Sequence, residues 1–484
     1  MVPSPFLRKP FTQAYYQLFM TSPSALPHDH PTSDKLSPEG VLPEGVALLQ
    51  AINFVDVGLD IGVDPAALNQ RWRGNYATVD LLVSAQKPDR SRQIQVVTDP
   101  QQIPAEATVI DGQDWFMGSG LVDLYSTSGE PGYESRETLD SFQQAARAGG
   151  FGLVGILPHT EPVLDDVGAL EFLTHHSLTS ANGWGTHLKP WGALTHKTAG
   201  KQLNDLTELA PHVLGFTDSK PLQNLLLVQR ALDYLQPLAK PLMLFAQDLQ
   251  ILGDGVVRDG KWCVQYGYSG APVSAETSAL AALLEIIQPH HGPVHLMRIS
   301  TARSVALLRQ AKAAGLPITA SVTWAHLCYC DQDLHSYDPS LRLMPPLGSA
   351  TDRDALVAGV KDGTIDAIAV DHTPYTYEEK AVPFDSAPAG ATGLEVAWVM
   401  LWQKLVVSGK LTPLELWQAM STGALGCVGL KPTELDLRPL LRPFLFSSTN
   451  AWQVQPDQIH SLAYNLPCWR QRLHGQVVSF DLKI

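Results

Sequence analysis

At 484 residues the chain can bury a full-sized core and exceeds the usual single domain, so one large domain with a smaller companion is the starting expectation. Its 34 basic against 48 acidic side chains give a formal charge of -14, which disfavours a nucleic-acid backbone as partner. Five cysteines without a CxxC pair argue against a disulfide scaffold or a zinc knuckle, and no run of about 18 apolar residues suggests a membrane span, so a reducing, cytoplasmic setting is expected.

Met1 to Met20 carries only Arg8 and Lys9 and is interrupted by Pro3, Pro5 and Pro10, unlike a secretory signal. Residues 21 to 44 are rich in proline, serine and charge and complete a flexible arm, 1–44. Over 45–117, short apolar or β-branched pieces (ALLQAINFVDVG, YATVDLLVS, RQIQVVTD, EATVIDG) alternate with turns and read as strands of a small sheet. The last stretch, 433–484, has the same texture in FLFSS, AWQV, SLAYN and GQVVSFDLKI, so a small β-sandwich-like domain formed from both chain ends is expected.

Between them, 118–432 has a different rhythm. Eight apolar segments are strand candidates: GLVDLY, LVGILP, GTHLKP, HVLGFT, PLMLFA, PVHLMRI, PITASVT and IDAIAV. Helical stretches such as DSFQQAARAG and SVALLRQAKAAG separate most of them, and in the latter Val305, Leu308 and Ala311 recur at near-helical spacing. Alternation of strand and helix implies parallel strands, and eight units close an α/β barrel, the (β/α)8 TIM barrel. An open doubly wound sheet would need a glycine-rich fingerprint after its first strand, and STSGEPGYES lacks that spacing.

Reacting groups of such a barrel sit at the C-terminal strand ends. There the sequence offers Tyr125 and Thr127, His159 and Asp165, Asp218, Phe245, Arg298, Trp324 with His326, and Asp371 with His372. A two-metal hydrolase needs several converging nitrogen and oxygen ligands. Phe245 offers no lone pair, and the fixed charge of Arg298 repels a cation.

The segments GLVDLYSTSGEPGYESRET, AARAGGFGLVGILPHTEPVLD, GYSGAPVSAE, ISTARSVALLRQAK, LMPPLGSATDRDAL and DGTIDAIAVDHTPYTYEEKAVPFDSAPAGATGLE run in the order of the dihydroorotase family of the amidohydrolase superfamily, which the chain resembles. The resemblance implies the barrel, and it implies a zinc pair held by residues this chain lacks. Where the family has metal-binding histidines, this sequence carries Tyr125, Thr127, Phe245 and Arg298, although Asp123 and His295 are kept. Gly129 stands where an arginine would clamp the substrate carboxylate, and His159, Met344 and Tyr375 replace other substrate contacts. Two ligand-type positions persist: Asp165, matching an aspartate that bridges metals in one class, and Asp371, matching the general base, idle without a metal.

A dihydroorotase-like protein without the zinc centre is therefore expected, with a scaffolding or regulatory role in pyrimidine synthesis, because some inactive relatives serve as scaffolds for aspartate carbamoyltransferase. A homodimer is expected by family analogy. Two alternatives stand beside it. His159, His196, His295, His326 and His372 with Asp165 and Asp371 could regroup around zinc in an atypical dihydroorotase or another cyclic amide hydrolase, mononuclear or rearranged. Or the mouth could bind a small anionic or cyclic ligand without catalysis, through Arg298, Arg342 and Lys197.

Overall fold

Strands covered on both faces read as unbroken apolar runs, and all eight barrel candidates contain a strand. In chain order these are Leu121–Ser126, Phe151–Ile156, His187–Pro190 continued by Gly192–Ala193, Phe216–Thr217, Leu242–Phe245, Val294–Met297, Ile318–Thr323 and Ala367–Ala369. The computed structural model describes residues 47–55, 72–73, 76–83, 94–97, 101, 103–180, 186–430 and 444–478. The arm expected over 1–44 lies outside the described residues.

Neighbouring barrel strands pair in parallel, and at Trp191 the third changes partner from the second to the fourth. The ring closes where the Asp371 N–H donates to the Tyr125 carbonyl (3.2 Å) and the Thr127 N–H to the His372 carbonyl (2.7 Å). The buried Asp123 carboxylate staples the same seam, accepting from the Val370 N–H at 2.7 Å and the Ser126 hydroxyl at 2.5 Å.

Helices cover the outside, several of them started by a side-chain cap. Before Ala302–Ala313 the Thr301 hydroxyl accepts from the Ser304 N–H, and the buried face Val305, Leu308 and Ala311 is the one the spacing predicts. Apolar residues divide into two layers. Leu139, Phe142, Leu232, Leu280 and Leu308 fill the space between strands and helices, while Val122, Leu153, Trp191, Met243, Met297 and Ala367 fill the barrel interior.

The terminal pieces join in one eight-stranded mixed sheet, whose main path runs Arg472–Val478, Phe444–Gln453, Trp115–Gly118, Ala47–Phe54, Tyr76–Val83 and Trp72–Arg73. Ala47–Phe54 forks it: its first half pairs with Thr108–Asp111 and its end with Phe116 and Met117, across an irregularity where Ala51 takes a φ of 58°. FLFSS and the first three residues of AWQV are parts of a single strand. SLAYN, read as a strand, is instead a loop whose partners belong to the barrel mouth. A cluster of Trp398, Trp402, Trp417, Phe444 and Phe446, with centroids 4.7 to 5.8 Å apart, welds this sheet to the last barrel helices.

Candidate functional site

The strand ends surround a cavity of about 360 Å³. Into it face Thr127, His159, Phe245, Arg298, Met344, Asp371 and Tyr375, as expected for a barrel mouth. Arg298 and Asp371 follow the sixth and eighth strands with φ of 57° and 56°, the left-handed region that non-glycine residues occupy at a cost. The two side chains form a bidentate pair: Arg298 Nε donates to Asp371 Oδ2 (2.8 Å) and Nη2 to Oδ1 (2.6 Å). Nη1 donates to the Ser219 carbonyl at 3.2 Å, and the guanidinium carbon lies 5.3 Å from the Phe245 ring centroid and 5.8 Å from that of Tyr125. Burial works against the Arg298 charge, but the Asp371 carboxylate outweighs it and holds the guanidinium protonated.

A hydrogen-bonded chain supports this pair from inside the barrel. The Arg298 backbone N–H donates to Tyr125 Oη at 3.2 Å, and Tyr125 Oη stands 3.0 Å from Ser321 Oγ. Ser321 in turn lies 2.8 Å from His295 Nε2, and His295 Nδ1 lies 2.9 Å from Thr319 Oγ1. His295 is fully buried, and burial pushes its imidazole down to about 3, so it stays neutral. Tyr125 itself lies below the mouth, in the interior layer.

The other expected histidines do not converge on one point. His159 meets Ser219 Oγ, 2.6 Å from Nε2, and burial together with Lys220 and Arg298 pushes it down to about 3. His326 is held between Thr323 Oγ1 (2.7 Å) and the Pro345 carbonyl (3.1 Å), and burial pushes it down to about 4. His372 faces Glu137 at 3.3 Å, and His196 is exposed in the loop after the third strand. Asp165 is absent from the cavity wall: its carboxylate accepts from the Lys197 backbone N–H at 2.9 Å. Asp218 accepts from the Thr195 N–H (2.9 Å) and hydroxyl (2.5 Å). Nor do the three suggested anion contacts converge, because Arg298 is engaged by Asp371, and Lys197 and Arg342 lie outside the cavity lining.

Several residues that shape the mouth carry no local signal in the sequence. Arg136 is stacked between Tyr133 (4.4 Å) and Tyr375 (5.0 Å) and pairs with Glu379. Buried Lys380 donates to the carbonyls of Pro339 (2.9 Å), Pro388 (2.7 Å) and Gly390 (2.8 Å), fixing the loops behind Tyr375. Glu137 accepts from the Ser461 hydroxyl (2.5 Å) and the Leu462 N–H (3.1 Å) as well as facing His372. Burial alone would raise this carboxyl; the hydrogen bonds from His372, Ser141 and Ser461 hold it below the ordinary range. Asn465 completes the attachment, accepting from the Tyr375 N–H (2.9 Å) and donating to the carbonyls of Thr373 (2.8 Å) and Gly390 (3.0 Å).

These residues do not fit a metal pair. A divalent ion needs three or more lone-pair donors converging on one point. Among the described residues no group of three or more histidine, cysteine, aspartate or glutamate side chains could hold one. At the mouth, both oxygens of Asp371 already face a fixed cation. The described residues also contain no helix long and apolar enough to cross a membrane.

No protein-family model matches the sequence. A probable dihydroorotase-like protein of Synechocystis sp. is 43% identical over 417 residues, covering 80% of this chain and 93% of that protein. A dihydroorotase of Pelotomaculum thermopropionicum is 36% identical over 334 residues, with 69% of this chain and 77% of that protein covered. Among solved structures, the L-hydantoinase of Arthrobacter aurescens superposes with a TM-score of 0.69 at 17% identity, over 89% of this chain and 93% of its own. Dihydropyrimidinase from Brevibacillus agri gives 0.64 at 17% identity, over 89% and 92%. The structural likenesses show the barrel with its mixed terminal sheet, and the sequence identities show the lineage: the chain belongs to the dihydroorotase family of the amidohydrolase superfamily.

Proposed function

We propose that this protein is a non-catalytic member of its family, with a scaffolding or regulatory role in pyrimidine synthesis and aspartate carbamoyltransferase as its partner. The observation that carries this reading is the Arg298–Asp371 pair. The carboxylate that the family resemblance assigns as general base is bound bidentately by a guanidinium, and a base so engaged cannot take a proton from water. Activating water near neutral pH also requires a Lewis acid, and the donors at this mouth do not converge to hold one.

Protein purified without affinity metals, analysed for zinc and assayed for dihydroorotase in both directions, tests the reading. The expected result is sub-stoichiometric zinc and no turnover; stoichiometric zinc with turnover abolished by a chelator would overturn it. A second reading rests on the cavity, which keeps about 360 Å³ with aromatic walls and Lys220 at its edge. In that reading the protein binds a small ligand without catalysis. Isothermal titration with dihydroorotate, carbamoyl aspartate and hydantoins distinguishes it, since heat of binding without turnover appears only if a small-ligand site persists.

A further inference from the structure

Exposed apolar side chains are unevenly distributed over this barrel. Nine of the fourteen large ones among the described residues lie in the loops after the first, fifth, seventh and eighth strands or in the C-terminal segment lashed to them. The most prominent are Tyr337 (48%), Tyr377 (55%), Tyr464 (47%), Leu462 (59%) and Val264 (79%). Three of them belong to two ring clusters. Tyr377 meets Tyr464 edge-on at 4.7 Å, and a second chain of rings runs from Phe384 to Tyr268 (5.0 Å), Tyr337 (5.7 Å) and Tyr266 (5.9 Å). Single exposed apolar residues need no explanation, but a contiguous aromatic sector on one face marks a contact surface.

Charge on the same loops indicates what would cover it. The exposed ionic residues of these loops and of the C-terminal segment are the carboxylates Glu134, Asp254, Asp259, Glu378, Asp385 and Asp457 against Lys261 and Arg470, with His460 beside them. A second copy of this chain, docked face to face about a two-fold axis, would bring these carboxylates against one another. We propose that this aromatic, acidic sector of the mouth face is a docking surface for a different protein that presents a basic patch around apolar anchors. The inference rests on the scaffolding reading and names the face through which it operates.

The test uses the full chain and purified aspartate carbamoyltransferase of the same organism as probe, with affinity measured by biolayer interferometry at low and high salt. The wild type should bind, more weakly at high salt. Y377S with Y464S, and separately E378K with D385K, should each weaken binding at least about tenfold. L226S with Y234S, on an outer helix, should leave it unchanged. If the probe binds wild type and all variants alike, the docking face is wrong and the scaffolding reading stands. Failure of the wild type to bind removes both. Sedimentation showing a wild-type dimer that Y377S with Y464S dissociates would assign the face to a second copy and overturn the basic partner.

Discussion

Arg298 places a permanent positive charge where the family resemblance expects an ion-binding imidazole, and the difference is chemical as well as steric. An imidazole lends a lone pair; a guanidinium lends only donors and a charge that no pH in the working range removes. Asp371, with its side chain 15% exposed, therefore has its counter-ion built into the chain. Removing one partner of such a buried pair strands the other, at a cost of about 3 kcal/mol or more, whereas replacing both with apolar groups of similar size is close to neutral. Arg298→Met and Asp371→Leu alone should each lower unfolding stability by about that much, and the double variant by less than their sum. Urea unfolding of the four proteins gives the coupling energy directly; a value near zero would mean that the pair locks nothing.

The C-terminal segment shows how an element gains structure from residues far away in sequence. SLAYN has the short apolar and aromatic texture of a strand, yet its partners are Glu137, the backbone of Thr373, Tyr375 and Gly390, and no neighbouring strand. Asn465 is fully buried and satisfies three backbone groups there, so Asn465→Ala should cost about 3 kcal/mol through unmade hydrogen bonds. It should also speed amide exchange at Tyr375, which a simple loss of global stability would not do selectively. Barrel strands were legible where burial on both faces leaves apolar runs, as in Leu242–Phe245 and Ala367–Ala369. Arg136, Lys380 and Glu137 were not legible as site residues, since the Glu137–Ser461 contact spans 324 positions and nothing near either residue announces it.

At the scale of the whole molecule, the departures from the family pattern are mutually supporting. Tyr125 and Arg298, at two positions where the family resemblance expects histidine, contact each other through Tyr125 Oη, while His295 is drawn into the same buried chain by Ser321. The loop after the first strand leaves no room for a side chain at Gly129. A Cβ on Gly129 would stand 2.2 Å from the Glu137 carbonyl oxygen and 2.6 Å from its nitrogen, so an arginine cannot be seated there without displacing the backbone of Glu137, whose carboxylate anchors Ser461. On the reading proposed above, metal loss and substrate-site loss are separate changes, and a variant can separate them. Tyr125→His, Thr127→His, Phe245→His and Arg298→His together free Asp371 and return four imidazoles to the strand ends, so this variant should take up zinc that the parent does not. It should still fail to open dihydroorotate, because Gly129 and Met344 leave no clamp for the substrate. Zinc analysis with the two-direction assay reads both halves, and efficient turnover by the zinc-loaded variant would show that the substrate site had survived.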